Sequence, residues 1–242
     1  VDNGISSVEG VDFANNHKID VIITDHHLSP SVLPKAYGII NPNQPGDLFP
    51  SKNLAGVGVA FYTMLALRQY LFEIGHLSCL PNMSQFLDLV AVGTVADVVP
   101  LDFNNRVLVA HGINLIKKRP RAGLRALINA SNCDLKFLSS EDIGFHIAPK
   151  LNAAGRLKDI SIGIQCLLAT SQSTADIHLK NLKLLLGYSI GQLLLRHLLD
   201  LHAHDITQHD HSNYSCRKPV HCILVVLRVG QKQLNQHLQI NL

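Results

Sequence analysis

The sequence predicts an α/β fold: a partial parallel sheet with helices on both faces, followed by a mainly helical segment. An apolar run over residues 21–24 leads straight into Asp25, His26 and His27, which is typical of a strand buried on both faces. A strand end at residues 1–2, a helix over 8–16 and this strand form a βαβ unit, which makes the strands parallel. The segments 54–74 and 84–99 are apolar on most sides and predict buried helices.

Composition limits the class of protein. The chain has 242 residues, of which 47% are hydrophobic and 16% charged, so it is globular rather than disordered. The formal charge of +3 is too small to indicate a nucleic-acid partner by itself. Five scattered cysteines without a CxxC pair favour a reducing, cytoplasmic location with no disulfide partner. No apolar run is long enough to predict a membrane span.

The elements follow from local signals. Ser6 or Ser7 can cap the helix over 8–16, and strands are predicted over 19–24 and 37–40, with prolines and turn residues in the loops between and after them. Asp102 is the predicted N-cap of a helix over 103–118, which Pro120 ends. Further helices are predicted over 121–130, from 139 and over 160–169, and residues 149–156 are predicted to be a loop.

The chain is predicted to have three parts. A domain covers residues 1–101, and a helical connecting region covers 102–186, including the Asn-Ala-Ala-Gly-Arg loop at 152–156. Residues 187–242 are rich in histidine, glutamine and asparagine, and we expect an atypical, weakly structured tail.

Acidic and imidazole side chains follow the predicted strands. Sites in open α/β sheets form beyond the carboxyl ends of strands, and we expect Asp2 and Asp25 to meet there. Carboxylate oxygen and imidazole nitrogen suit Mn, Fe, Zn or Mg-like ions. Because adjacent residues point in different directions, one of His26 and His27 faces the ion and the other the substrate. The alternatives are an ordinary Asp-Asn-Gly turn and strand-end histidines with satisfied hydrogen bonds.

A third acid, Asp97, is the one ionisable residue between Leu89 and Pro100. A carboxylate buried in such a helix must be paired or bind a cation, although a bond to the backbone would also satisfy it. Together with Asp2 and His26 it predicts part of a two-metal site that activates water for attack on phosphorus.

Four polar residues are candidates for binding phosphate. Arg106 and Arg156 can make bidentate contacts, and the small residues before Arg156 let the backbone approach a phosphate. Lys150 and Asn152 belong to the same segment as Arg156. For any single arginine, a solvated surface position is the alternative.

The chain from Val1 to about residue 180 resembles the DHH phosphoesterase superfamily and, more narrowly, the RecJ-type exonucleases specific for single strands. The segments that carry the resemblance are residues 1–4, 24–27, 40–43, 54–60, 93–101, 105–106 and 149–156. The resemblance implies a DHH domain fragment and a 5′-to-3′ exonuclease that hydrolyses single-stranded DNA with Mn²⁺ or Mg²⁺ in DNA repair and recombination.

The resemblance also implies roles for particular residues. Asp2 would bridge two metal ions, and His26 and Asp97 would complete the shell of one. Asp25 would be a supporting acid, and His27 would approach the scissile phosphate. The residues implied to hold DNA phosphate are Arg156, Arg106, Lys150 and Asn152.

The sequence departs from the family pattern in two ways. The family's first motif, which supplies most ligands of the other metal, and the first strands are absent, and Lys150 stands where arginine is usual. We therefore expect an incomplete, weakly active or inactive fragment, truncated at both ends. The alternatives are a phosphoesterase for short oligonucleotides or cyclic dinucleotides, and a non-catalytic nucleic-acid-binding remnant.

Overall fold

The computed structural model describes residues 1–157 and 161–182. It divides into two compact units, Val1–Pro149 and Lys150–Leu242, so the predicted boundary after residue 101 stays a prediction. The predicted tail over 187–242 lies outside the described residues. Within them, no helix is long and apolar enough to cross a membrane.

A small parallel sheet lies beside the first residues of the chain. Strands β1 (Ile22–Thr24) and β2 (Gly38–Ile40) pair with Ile23 opposite Ile39, which confirms the α/β class with shorter strands than predicted. Residues 1–2 were predicted to end a strand and do not form one. The Asp2 amide donates to the Thr24 carbonyl at 3.0 Å, but Asp2 and Asn3 have φ of 58° and 72°, which ends the extended course.

Helices make up most of the remaining described chain. In order they are α1 Val8–Asn16, α2 Gly56–Glu73, α3 Leu87–Ala96, α4 Phe103–Lys118, α5 Ala122–Ala130, α6 Ser140–Asp142, α7 Ala148–Leu157 and α8 Ser161–Leu168. Short 3₁₀ turns cover Gly4–Ser6 and Met83–Phe86, and a π-helical turn covers Ile143–Ile147. Residues 172–182 are also helical.

Two predicted boundaries were wrong. The helix predicted over 84–99 opens as a 3₁₀ turn and ends at Ala96, because Val98, the residue after the C-cap Asp97, has the left-handed backbone conformation that ends many helices. The loop predicted over 149–156 is helix α7. Pro149 lies just after the π-helical turn Ile143–Ile147, where the regular α-helical hydrogen bonds are already interrupted, and Ala153 and Ala154 favour helix.

Helices α2, α3 and α4 form the core of the first unit. Leu54, Val59, Val90 and Leu108 are its buried centre. Helix α4 crosses α3 at Gly112, where an added Cβ would lie 2.2 Å from the Leu87 carbonyl oxygen. This close approach fixes the direction of α3 and therefore the position of its C-terminal end, which borders the candidate site.

The connection between α3 and α4 is held by polar contacts. Asp102 accepts hydrogen bonds from the Asn105 amide at 2.9 Å and the Ser51 hydroxyl at 2.7 Å, which confirms the predicted N-cap. The buried Asn105 side chain donates to the carbonyls of Asn53 and Pro100 at 2.6 and 2.9 Å. These contacts anchor the segment that follows Asp97.

Replacement of Asp102 by alanine should lower the free energy of unfolding by about 1 kcal/mol, because the N-cap acceptor is lost. Urea denaturation followed by circular dichroism measures the change. Asp20→Ala, at an exposed position outside the helices, is the matched control and should be close to neutral. Equal stability of the two variants would contradict the capping role.

A buried ion pair that the sequence did not indicate joins α3 to α5. Arg121 donates from Nε to Asp88 Oδ2 at 2.6 Å and from a terminal nitrogen to Oδ1 at 3.0 Å. Asp88, not Asp97, is therefore the buried acid of α3. The bidentate geometry supplies the partner that a buried carboxylate requires.

Candidate metal centre

The candidate site lies where three elements end or begin. Asp25, His26 and His27 follow β1, Asp97 follows α3, and Asp2 lies beside them. Helix α2 begins at the edge of this group, since a Cβ at Gly56 would lie 3.5 Å from Asp2 Oδ1. The sequence positions 2, 26 and 97 therefore meet in space.

His26 lies between two carboxylates. Its Nε2 is 3.1 Å from Asp2 Oδ1 and 3.4 Å from Asp97 Oδ2. The imidazole is nearly buried, with 11% of its side chain exposed, whereas the side chains of Asp2 and Asp97 are 64% and 40% exposed. The arrangement thus leaves two carboxylates accessible from solvent around one fixed ring nitrogen.

Asp97 was predicted to be buried in an apolar helix, and this is wrong. It is the C-cap residue of α3 and is exposed because the helix ends one residue earlier. The next residue, Val98, has φ of 57°, a conformation that is strained for a β-branched side chain. Such strain is concentrated at functional sites, and here it turns the chain immediately after an acid of the cluster.

Asp25 is fully buried and anchors the loop that carries the histidines. Its Oδ2 accepts from the Ile5 amide at 2.8 Å. Its Oδ1 accepts from the amides of His26 and His27 at 2.7 and 3.1 Å and from His27 Nδ1 at 2.8 Å. Ligand atoms of Asp2, Asp25, His26 and His27 lie within 4.8 Å of one another, and three of these four bonds to Asp25 go to Oδ1.

The contacts shift the pKa values of the cluster. Burial raises the pKa of Asp25, but hydrogen bonds from the Ile5 amide, the His27 side chain and the Asn3 and His27 amides outweigh it and hold the pKa well below its usual range. The hydrogen bond from His26 lowers the pKa of Asp2, and the same bond raises the pKa of His26. Both acids are therefore ionised at neutral pH.

The ionised form of Asp25 should stabilise the fold in a defined pH range. Because its pKa is lowered on folding from the ordinary 3.8, its contribution is complete above that value and is lost as the pH falls below it. The ¹³C shift of the Asp25 carboxyl, followed by NMR in the metal-free chain, should show an ionised group at pH 4. A titration midpoint of Asp25 at or above the ordinary 3.8 would contradict this.

His27 has a fixed ring with one free edge. Its Nδ1 is bound to Asp25 and lies 3.8 Å from Asp2 Oδ1, and the ring centroid is 4.4 Å from that of His26. The side chain is 46% exposed. The contact with Asp25 occupies Nδ1, so Nε2 is the nitrogen available to a substrate. That only one of the two histidines faces an ion stays a prediction.

The predicted phosphate-binding residues are not all described. Arg106 is exposed on α4, and its guanidinium donates to the Leu101 carbonyl at 2.8 Å. Lys150 is half-buried and Asn152 is exposed, and both lie in the part of α7 that belongs to the second unit. The side chain of Arg156 lies outside the described residues. None of the described contacts joins Arg106 to the cluster.

Two asparagines that sequence reasoning missed contact the loop with the histidines. Asn43 Nδ2 donates to the His26 carbonyl at 2.6 Å, and Asn41 Nδ2 donates to the His27 carbonyl at 2.9 Å. Residues 40–43 carry part of the family resemblance, but the sequence analysis assigns no role to either asparagine. The available sequence signal was the pair of asparagines directly after β2, because side-chain amides can donate hydrogen bonds to a neighbouring loop.

The donor set fits a divalent cation. Carboxylate oxygens with one imidazole nitrogen suit Mn²⁺ and Mg²⁺ better than thiol-binding ions. Asp2 and Asp97 present ionisable oxygens to the same nitrogen of His26, and an ion there would offset the repulsion between the two acids. Among the residues whose side chains the structure describes, one group of acids and histidines could hold a metal ion, and it consists of Asp2, Asp25, His26 and His27. Asp97 lies next to this group through His26.

Comparison with known proteins identifies the chain's family. Residues 1–94 match the model of the DHH family, N-terminal domain. Over 173 residues the chain is 54% identical to the single-stranded-DNA-specific exonuclease RecJ of Dickeya dadantii, covering 69% of this chain and 30% of that protein. Over 182 residues it is 51% identical to the RecJ of Escherichia coli, covering 73% and 32%. The chain thus spans about a third of the length of these relatives.

A solved structure agrees with these matches. The crystal structure of RecJ in complex with Mn²⁺ from Thermus thermophilus matches with a TM-score of 0.68 and 32% identity, covering 83% of this chain and 29% of that one. The fold, the cluster and the sequence matches together place the chain in the DHH family. Within that family it is a relative of the RecJ exonucleases, as the sequence motifs indicated.

Proposed function

We propose that the chain supplies a divalent-cation site for hydrolysis of phosphodiester bonds in single-stranded DNA, as a RecJ-like 5′-to-3′ exonuclease acting in the cytoplasm in DNA repair and recombination. The observation that carries the proposal is the placement of His26 Nε2 within 3.4 Å of a carboxylate oxygen of Asp2 and of Asp97. The similarity to RecJ enzymes supports the choice of DNA as substrate.

Asp2, His26 and Asp97 would hold Mn²⁺ or Mg²⁺. When bound, such an ion polarises a phosphoryl oxygen and lowers the pKa of a bound water. Because Asp2 and Asp97 are more exposed than His26, the open side of the site faces solvent, where a phosphodiester can approach. Asp25 would act as the supporting acid of the site, since its buried carboxylate accepts N–H bonds from the Ile5 amide, the His26 amide and the His27 ring.

His27 would act on the phosphate beside this site. Its Nδ1–H is held by the buried, ionised Asp25 at 2.8 Å, which fixes both the tautomer and the ring plane. In that tautomer Nε2 has a lone pair, and after protonation it can donate a hydrogen bond to a phosphoryl oxygen. The contact with Asp25 would therefore hold the His27 ring so that its Nε2 faces the phosphate.

Four residues would bind the DNA backbone: Arg106, Lys150, Asn152 and Arg156. Cationic side chains neutralise phosphates and make DNA binding dependent on salt concentration. The guanidinium of Arg106 is exposed and bonded on one side to a carbonyl, which leaves further N–H donors for a phosphate.

We expect the 242-residue chain to hydrolyse DNA weakly or not at all. Two-metal hydrolysis requires a second ion about 4 Å from the first, and the described residues offer one group of ligands. The chain would then bind one cation and a phosphodiester without efficient cleavage.

The proposal can be tested with a 5′-labelled single-stranded oligonucleotide and a duplex of the same sequence. Fluorescence anisotropy should show Mn²⁺-dependent binding of the single strand by the chain, and the variant Asp97→Asn should lose the dependence on Mn²⁺. The exposed Asp20→Asn variant is the matched control. Mn²⁺-independent binding, or equal binding of the duplex, would contradict the proposal, and rapid nucleotide release would contradict the expected weak activity.

A further inference from the structure

We propose that Asn41 and Asn43 are positioning residues, which fix the backbone of the two histidines that follow Asp25. In this way they direct His26 towards Asp2 and Asp97. The inference rests on the proposed function of Asp2, His26 and Asp97 as a cation site. It concerns the loop at residues 41–46, to which the proposed chemistry assigns no part.

The two asparagines bind consecutive carbonyls of the histidine loop. Asn41 is buried, donates to the His27 carbonyl at 2.9 Å and accepts from the Asn43 amide at 2.8 Å. Asn43 donates to the His26 carbonyl at 2.6 Å and to the Lys52 carbonyl at 3.1 Å. One side-chain amide therefore serves each histidine, and a direct bond links the two asparagines.

These bonds take the place of a sheet at this point of the chain. The last main-chain bond between the two strand segments is that from the Asp25 amide to the Ile40 carbonyl at 3.0 Å. Beyond it, Asp25 Oδ1 accepts hydrogen bonds from the amides of His26 and His27, while the two asparagine side chains donate to the carbonyls of the same histidines. The backbone of both histidines is therefore fixed at its donors and its acceptors without regular secondary structure.

The asparagine loop is itself held firmly. Lys52 Nζ donates to the Pro42 carbonyl at 2.6 Å and to the Asp47 carbonyl at 2.8 Å. The Ser29 hydroxyl donates to the Asn43 carbonyl at 3.0 Å, and Gln44 Nε2 donates to the carbonyls of Ile39 and Asn41 at 3.0 and 3.2 Å. A rigid support is what a ligand set requires, because a displacement of about 0.5 Å degrades its geometry.

The chemistry of the contacts requires asparagine. A carbonyl oxygen needs an N–H or O–H donor, so the aspartate carboxylate of the same shape could not replace either side chain. Loss of one amide would leave the loop folded but would free one histidine carbonyl. Loss of one amide should therefore lower the Mn²⁺ affinity more clearly than it lowers the stability of the whole fold.

The test compares Asn43→Ala with Gln44→Ala, using Mn²⁺ as the probe. Asn43→Ala removes a bond to a histidine carbonyl and should weaken Mn²⁺ binding about 10-fold, the size usual for residues that orient a ligand. Gln44→Ala removes bonds to the carbonyls of Ile39, in β2, and Asn41. Neither bond reaches a histidine, so this variant should leave Mn²⁺ affinity within about twofold of the wild type. Calorimetric titration gives both affinities, and urea denaturation gives both stabilities.

A second readout does not need the metal. In the metal-free chain, hydrogen exchange of the His26 and His27 amides, followed by NMR, should be about 10-fold faster in Asn43→Ala and unchanged in Gln44→Ala. If Asn43→Ala does not fold, Asn43→Ser is measured in the same way. The serine hydroxyl is too short to reach the carbonyls of His26 and Lys52, so the bonds that Asn43 makes are still lost.

The two readouts separate the possible failures. Wild-type chain that binds no Mn²⁺ would contradict the proposed function, and the exchange rates would still decide the role of Asn43. Unchanged exchange at His26 and His27 in the Asn43 variant would overturn the positioning role. Equal loss of Mn²⁺ affinity in the Asn43 and Gln44 variants would also overturn it, because the effect would then belong to the loop as a whole.

Discussion

Replacement of His26 by alanine should weaken Mn²⁺ binding by at least about 100-fold, beyond the range found when only a supporting residue of a metal ligand is removed. The imidazole is the central member of the cluster, since its Nε2 lies 3.1 Å from Asp2 and 3.4 Å from Asp97. Without it, two carboxylates remain with no shared partner, and their mutual repulsion moves them apart. Calorimetric titration of Mn²⁺ at pH 7.5 into the two proteins, at about 25 °C, measures the ratio of dissociation constants.

The matched control for this prediction is His17→Ala. His17 is exposed, and its Nδ1 contacts the carbonyl of Phe13 one turn earlier at 2.8 Å, so its loss changes the histidine count without touching the cluster. The control should bind Mn²⁺ within about twofold of the wild type. If His26→Ala bound Mn²⁺ as tightly as His17→Ala, the assignment of His26 as a ligand would be wrong.

Replacement of Gly112 by alanine should destabilise the fold by about 3 kcal/mol or more, at the upper end of the usual cost of overpacking. The new Cβ would lie 2.2 Å from the Leu87 carbonyl oxygen and 2.4 Å from the Ala91 Cβ. The carbonyl oxygen belongs to the backbone of the first residue of α3 and cannot rotate away as a side chain could, so α4 must separate from α3. Urea denaturation followed by circular dichroism gives the change in the free energy of unfolding.

Gly10→Ala is the control for Gly112→Ala, because both glycines lie in helices. A Cβ at Gly10 would meet only the Ser7 Cβ, at 3.9 Å, and alanine is favoured over glycine in a helix by up to about 1 kcal/mol. Gly10→Ala should therefore be neutral or stabilising. An unchanged stability of Gly112→Ala would show that the close packing of α3 and α4 is not required.

The sequence predicted helices well where their ends are marked by local chemistry. Helix α4 has the predicted bounds because Asp102 caps its start and Pro120 follows its end. The helix Ala148–Leu157 was not predicted, because it contains Pro149 and Gly155, two residues that disfavour a helix interior. Propensity could not decide between the two interpretations.

The convergence of Asp2, His26 and Asp97 was predictable for a different reason. The family motifs implied all three residues, and Asp2 lies beside the end of β1 through the bond from its amide to the Thr24 carbonyl, although residues 1–2 form no strand. The exposure of Asp97 was not predictable, because it depends on where α3 ends. The ion pair of Asp88 with Arg121 and the bonds from Asn41 and Asn43 to the histidine loop are contacts between segments distant in sequence, and no local pattern encodes such pairs.

The central claim is that one divalent cation is bound through His26 with Asp2 and Asp97. Pulsed electron paramagnetic resonance of the chain with substoichiometric Mn²⁺ measures this most directly, since a nitrogen ligand gives a ¹⁴N modulation of the echo. The account predicts a ¹⁴N coupling that is present in the wild type and in His17→Ala and is lost in His26→Ala. Bound Mn²⁺ without ¹⁴N coupling in the wild type, or with the coupling retained in His26→Ala, would contradict it.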